Sequence, residues 1–585
     1  MNYPVWYLPE TGGGFLIALI SILHVFVSHF AVGGGLYLIY AEKKGLKENS
    51  QPILDFTKKH ARFFLLVTMV FGSISGVGIW FIIALVNPAA TSLLIHNFVF
   101  AWAIEWVFFT VEIGAAFVYY YMFGRMDSRT HLQVGWLYFI AAWMSLLVIN
   151  GIIGVMLTPG SWAQDMDFWA GFFNPSFFPS LVFRTFIALM IAACYGFLSA
   201  SFTADAGTRI SMTRFSAKWA LVTLVFTLIS GLWYLSVLPD QSQGLVMGKS
   251  PTIAAIQPLT AAGFVSFLLL MLVAGIVRPS LNLKPVAGLA MISALVVMGG
   301  FEWTREAARR PYVINGVMYS NSIMKKDLAA LNDGGFLRSA LWVQNKEVSE
   351  ENLELAGEEI FINQCYACHT VGGINNDIIA ATRTMSYRAL VSYLKKIHEL
   401  RYFMPPFVGT EQEGRALAAY IAGGLHGKEV QEPQQDAGSV AKGPALFEEN
   451  CASCHALEDL SSLQGVAKEE IVAMLRTLNE ISEEMEPFGG SVEAHGQLAA
   501  FLGGHTDTAQ QETAIDGKAI FETHCRLCHG VEEMAPMIGN IDRQEIFTLL
   551  GRLDQLESSM PPFGGTAEEQ EALADFLASI NQGGK

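Results

Sequence analysis

The sequence is short of charge. Asp, Glu, Lys and Arg make up 15% of its 585 residues, against about a quarter in an ordinary soluble domain, too few to clothe a water-soluble protein of this size. It is also short of cysteine, with seven, six of them in three tight clusters. That pattern excludes a disulfide-stapled scaffold, and the seventh, Cys194, reads as a small buried apolar residue. Basic residues are scarce in the second half. From residue 346 onward 38 acidic residues stand against 16 basic ones, net −22, which excludes nucleic acid as a partner. Long apolar runs are missing there too. No cleavable signal is expected, because the first apolar run is too long for one and lacks a small-residue cleavage site after it.

What is present divides the chain in two. Hydrophobic residues reach 52%, with 40 Phe, and mean hydropathy is +0.37. Runs long enough to cross a bilayer, roughly 20 residues each, fall near 14–40, 63–86, 98–123, 134–157, 181–202, 217–238, 254–277 and 285–303. The fold expected is all-α, an eight-helix transmembrane bundle followed by a polar half. Before residue 346 the charge is mildly basic, 21 against 15. The basic residues sit in alternate connections: 42–62, then Arg125 and Arg129, then Arg209, Arg214 and Lys218, then Arg278 and Lys284. By the positive-inside rule those loops are cytoplasmic, and the N-terminus and the acidic tail lie on the periplasmic side of a bacterial-type inner membrane.

The tail carries "CYACH" at Cys365, Cys368 and His369, "CASCH" at Cys451, Cys454 and His455, and "CRLCH" at Cys525, Cys528 and His529. Cys-x-x-Cys-His is the spacing of covalent c-type haem attachment, two thiols for the vinyl groups and the adjacent His for the iron. A zinc site wants four ligands drawn from two such pairs. A thioredoxin-like dithiol needs a βαβ context that the pattern lacks. Each copy belongs to a repeat, beginning at 357, 443 and 517 and followed by "MPPFVGT", "MEPFGGS" or "MPPFGGT". Met404, Met485 and Met560 therefore stand as the expected second axial ligands, with Met474 a competitor for the second. His398, His426, His495, His505 and His524 follow no repeat and are expected at the surface. The repeats resemble small class I cytochrome c units, implying three covalent c-type haems in domains at 357–428, 443–505 and 517–585. Linkers are expected at 429–442 and 506–516, and an outer-face linker at 312–356.

Ionisable side chains inside the spans are costly and mark function: His24, His29, Glu105, Glu112, Arg184, Glu302, Arg305 and Glu306. Glu105 and Glu112, seven residues apart, share a helix face. Together with "LHVFVSHFAVGGGLYLIYAE" (23–42), "WAIEWVFFTVE" (102–112), "VINGIIG" (148–154) and "TREAARRPY" (304–312), these residues resemble the haem-bearing subunit I of the cytochrome bd quinol oxidases over residues 1–311. The resemblance implies His24 as a ligand to one of two non-covalent haems of b or d type, and Glu105 and Glu112 as acids of haem and proton delivery. It further implies Glu306 as a glutamate ligand and Arg309 as a propionate-side arginine, with Glu302 or Trp303 near the motif's tryptophan. His29 has no counterpart. Departures are equally specific. Arg184 stands where the family has the His of its low-spin haem, and Arg is no ordinary iron ligand. Thr252 and Gln257 stand where the quinol loop carries Lys and Glu.

The resemblance thus implies a membrane oxidoreductase, a terminal oxidase fed by a c-type donor instead of quinol. Its expected partners are membrane lipid, a basic soluble cytochrome c or another electron-transfer subunit, and a second bd-like subunit. The alternative is an electron-transfer subunit of a larger respiratory complex with no oxygen chemistry. A membrane anchor that has lost haems is a third reading.

Overall fold

Eight helices are long and apolar enough to cross a bilayer: α1 (Gly13–Lys47), α2 (Gln51–Val86), α3 (Val99–Tyr121), α4 (Ser128–Gly154), α5 (Phe177–Ser201), α6 (Ala206–Ser236), α7 (Pro251–Val277) and α8 (Lys284–Ala307). Within lipid each backbone donor must be satisfied inside its own segment, which favours uninterrupted helix. Where the helices reach water, side chains take over. Asp127 accepts from the Thr130 N–H at 2.9 Å to start α4, and Asp205 from the Thr208 N–H at 2.7 Å to start α6. The expected all-α class and eight spans are borne out. The computed structural model describes residues 3–430, 442–452, 454–455, 457–482, 485, 487–504, 517–525, 538, 541–553, 563 and 567–582.

The spans bury one stripe and leave the rest for lipid. Ile74, Phe100 and Leu232 are 69%, 72% and 70% exposed, as apolar side chains facing acyl chains should be. The centre of the bundle holds α5. A Cβ on Gly33 of α1 would lie 2.0 Å from the Ala188 carbonyl oxygen of α5, so only glycine permits this approach. Phe30 stacks on Tyr195 beside it, ring centroids 3.8 Å apart.

The described residues cluster into two compact units. One comprises residues 1–382 and 396–420, the other residues 383–395 and 421–585. In the first, the stretch after α8 is folded. It forms an antiparallel hairpin, β1 (Tyr312–Ile314) and β2 (Met318–Tyr319), then short helices at Leu328–Gly334 and Phe336–Ser339. It continues into α9 (Leu353–Gln364) and, further on, α11 (Glu411–Ala419), while α10 (Tyr387–Leu400) begins in the second unit and ends in the first.

One packing device recurs in all three repeats. A Cβ on Gly357 would lie 2.0 Å from the Ala416 carbonyl oxygen, on Gly443 2.7 Å from that of Gln497, and on Gly517 1.8 Å from that of Ala572. The opening helix of each repeat crosses its closing helix at that glycine. Four residues on, Phe361, Phe447 and Phe521 meet Tyr420, Phe501 and Phe576, with ring centroids 5.6, 5.8 and 5.6 Å apart. The shared "G-x-x-x-F" is therefore a helix-crossing signal.

Candidate haem-binding and electron-transfer site

Each described attachment loop is cut from the same geometry. The backbone N–H of Cys365, Cys451 and Cys525 donates to the carbonyl of Phe361, Phe447 and Phe521 at 2.9, 2.8 and 2.9 Å, so the opening helix delivers the first thiol. The chain then turns tightly: the Cys368 and His369 N–H groups donate to the Cys365 carbonyl at 3.1 and 3.0 Å, and those of Cys454 and His455 to Cys451 at 3.0 Å each. Cys528, His529 and Met560 lie outside the described residues.

His369 Nδ1 bonds the Asn376 carbonyl at 3.1 Å, which orients the ring and leaves Nε2 as the ligating nitrogen. Burial, with a smaller contribution from the Arg310 charge, holds the imidazole below its ordinary range, so it is neutral and fit for iron. Burial pushes the thiols of Cys365 and Cys451 up to about 12 and about 11. A redox dithiol needs the opposite, a depressed thiolate.

Cys368 and His369 form one wall of a cleft that is partly open to solvent and encloses about 170 Å³. Gly14, Ala18 and Ser21 of α1 and Glu302, Arg305 and Glu306 of α8 supply the others, with Arg310 just beyond α8. The first c-type loop thus opens directly onto the ends of two membrane helices. The chain's own N-terminus fastens it there. Tyr366 Oη accepts from the Leu8 N–H at 2.8 Å and donates to the Trp6 carbonyl at 3.1 Å, and the Val371 N–H donates to Pro9 at 2.9 Å. On the far side Phe403 packs with Leu245, Ile253 and Ala307, and Trp303 Nε1 donates to the Thr252 carbonyl at 3.0 Å. Thr252 also lines the cleft.

The expected methionine ligand Met404 sits in the loop carrying Phe403, and its carbonyl accepts from His398 Nδ1 at 2.6 Å. His398, expected at the surface, instead holds that loop. His495, also expected there, is buried at 6% exposure against the Phe488 ring. Met485 lies just before that phenylalanine.

In the membrane half His24 Nδ1 meets Ser75 Oγ at 3.0 Å. Ser75 gives its proton to the Phe71 carbonyl at 2.7 Å, so it accepts from His24, and the His24 Nε2 lone pair stays available to a metal. His29 Nδ1 instead bonds Val25 within its own helix at 2.7 Å. Glu105 and Glu112 belong to a ladder between α3 and α4. Ser145 donates to Glu105 at 2.6 Å, Tyr138 to Glu112 at 2.9 Å, and His131 Nε2 to the Tyr119 carbonyl at 2.8 Å. Each rung is seven residues from the next on both antiparallel helices, so the ladder climbs about 21 Å. Its last rung ends on a buried Glu42, which accepts from Tyr119 at 2.7 Å and His131 at 2.8 Å.

Glu42 and His131 were not singled out in the sequence. They lie at span ends, where charge is unremarkable. Heptad spacing of Glu105, Glu112 and Tyr119 against His131, Tyr138 and Ser145 is the signal that finds His131; Glu42, on α1, lies outside that series.

The acids closing α8 are all paired. Glu302 accepts from Arg184 at 3.4 Å and from Arg305 at 2.8 Å, and Glu306 pairs with Arg309. Arg184 of α5 is thus held in a buried ion cluster with Glu302 and Arg305. Arg309 is 4% exposed and donates to the Val313 carbonyl at 2.6 Å. Its neighbour Arg310 is the one that lines the cleft.

Comparison with known proteins agrees with the tail. Residues 352–421, 438–502 and 512–577 each match the family described as "Cytochrome C oxidase, cbb3-type, subunit III". No curated protein matches the chain. Among solved structures, the bd oxidase from Geobacillus thermodenitrificans is similar at 16% identity and a TM-score of 0.46, over 52% of this chain and 88% of that one. The chain is a multi-pass membrane protein whose C-terminal part carries c-type cytochrome domains, and its role is haem-based electron transfer.

Proposed function

We propose that this protein is a membrane-bound multihaem oxidoreductase that takes electrons from a donor at the outer face and reduces oxygen at a bd-like site, without oxidising quinol. The observation that carries the reading is the cleft that sets Cys368 and His369 against the ends of α1 and α8. Three c-type haems and two non-covalent haems of b or d type would supply one-electron chemistry when bound. Cys365, Cys368 and His369, with their counterparts in the other two repeats, would hold the former, with Met404, Met485 and Met560 as second ligands. His24 Nε2 is a free donor for the latter. The Glu42–His131–Tyr119, Glu112–Tyr138 and Glu105–Ser145 rungs can hold protons in line along α3 and α4.

The N-terminus and the tail would face the periplasm. The tail's net charge of −22 suits a basic soluble cytochrome c as donor, since opposite charge speeds encounter. A second bd-like subunit would cover the apolar faces of α3 and α7. One observation favours a second reading, an electron-transfer subunit without oxygen chemistry: Glu302 and Glu306, the acids available at α8, are both ion-paired.

Oxygen uptake by the purified full chain with a reduced basic cytochrome c separates the two. Uptake that a His24→Ala variant abolishes supports the oxidase. Rapid reduction of the c-type haems with no oxygen uptake supports the subunit reading.

A further inference from the structure

We propose that Arg310 anchors the propionates of the first c-type haem, so that the end of a membrane helix sets the reduction potential of the haem on Cys365 and Cys368. The inference rests on the reading of those cysteines as a haem attachment site. Arg310 lines the cleft together with Cys368 and His369. Its guanidinium makes no hydrogen bond or ion pair among the described residues, whereas every other arginine of this cluster is engaged: Arg184 and Arg305 on Glu302 and Arg309 on Glu306. Asp377, a carboxylate that acts on His369, is used by the Gly372 and Ile379 N–H groups at 2.8 and 3.1 Å.

The charge count points the same way. Arg184, Arg305, Arg309 and Arg310 stand against Glu302 and Glu306, a surplus of two positive charges at the membrane end of the cleft. A cleft end with a surplus of one sign of charge attracts a ligand of the other. A ligand tethered to Cys365 and Cys368 and carrying two carboxylates balances it. Planar bidentate carboxylate recognition is what a guanidinium does best. The nearby cation favours the electron-rich form, so it raises the potential.

The test is a potentiometric titration of the full-length chain. His369→Ala removes one c-type component and so identifies it; an unchanged c-type spectrum in that variant would reject the attachment reading itself. Arg310→Gln should retain covalent haem, counted by pyridine haemochrome, and shift that component's reduction equilibrium about tenfold toward oxidation, about 59 mV for a one-electron couple. Arg310→Lys should restore most of the shift. An unmoved component, or a shift confined to components that His369→Ala leaves in place, overturns the proposal. So does loss of the protein in both the Gln and the Lys variants, because Lys keeps the charge. A shift seen only in phosphatidylglycerol vesicles and not in phosphatidylcholine ones assigns Arg310 to an anionic lipid headgroup and also overturns it.

Discussion

Glu413 should be the residue whose loss most loosens the first cytochrome unit. Its carboxylate is buried at 4% exposure and accepts three backbone N–H groups: Phe336 at 2.9 Å, Leu337 at 2.7 Å and Thr410 at 2.7 Å. It joins the segment after the hairpin to the loop that follows Met404. Each hydrogen bond to a charged acceptor is worth about 1.5–3 kcal/mol, and an orphaned buried donor costs about 1–3 kcal/mol. Thr410 is partly buried and can recruit water, and the three are not additive, so Glu413→Ala should cost about 4 kcal/mol of local stability. That is roughly a thousandfold in the local opening equilibrium. Hydrogen exchange of the full chain in detergent should show protection of Phe336 and Leu337 falling by about that factor, with α5 unchanged. Glu413→Gln, which keeps one acceptor oxygen, should fall between. Protection within threefold of the original in Glu413→Ala would refute the argument.

His24→Ala should leave all three c-type spectra and remove or alter a non-covalent haem; unchanged b- or d-type absorbance would show that His24 Nε2 binds no metal. Ser75→Ala frees His24 Nδ1 from its acceptor, and the spectral position of the same haem should shift with the count preserved, as expected when a partner that orients a ligand is lost. Electron entry from a basic donor should slow as salt rises, with the Debye length falling from about 10 Å at 0.1 M to 3 Å at 1 M; a salt-independent rate would remove the tail's charge from the encounter.

The legible parts of the molecule were those encoded within one element. Apolar runs gave eight spans, and the spacing of Cys365, Cys368 and His369 gave the attachment chemistry, because both depend on neighbours in the chain. The glycine and phenylalanine heading each repeat were visible as a pattern, though their purpose, a helix crossing, needed the partner carbonyls. Pairings between distant segments left no trace. Glu413 sits in a polar "EQEGR" helix and reads as surface, yet its partners lie 76 and 77 residues away. Arg184 meets Glu302 across 118 residues and Tyr366 meets Trp6 across 360. The resemblance implied Arg309 as a propionate-side arginine of the membrane haem site. In the fold Arg309 pairs with Glu306 and donates to the Val313 carbonyl, while Arg310, past the end of α8, lines the cleft beside Cys368 and His369.

The most direct measurement of the central claim is haem quantitation on the purified full chain, by pyridine haemochrome with reduced spectra recorded before and after carbon monoxide. The account predicts three c-type haems and two non-covalent haems, with a carbon monoxide shift in a non-covalent band that His24→Ala abolishes. Three c-type haems alone, with no carbon monoxide response, would contradict it and reduce the membrane half to an anchor.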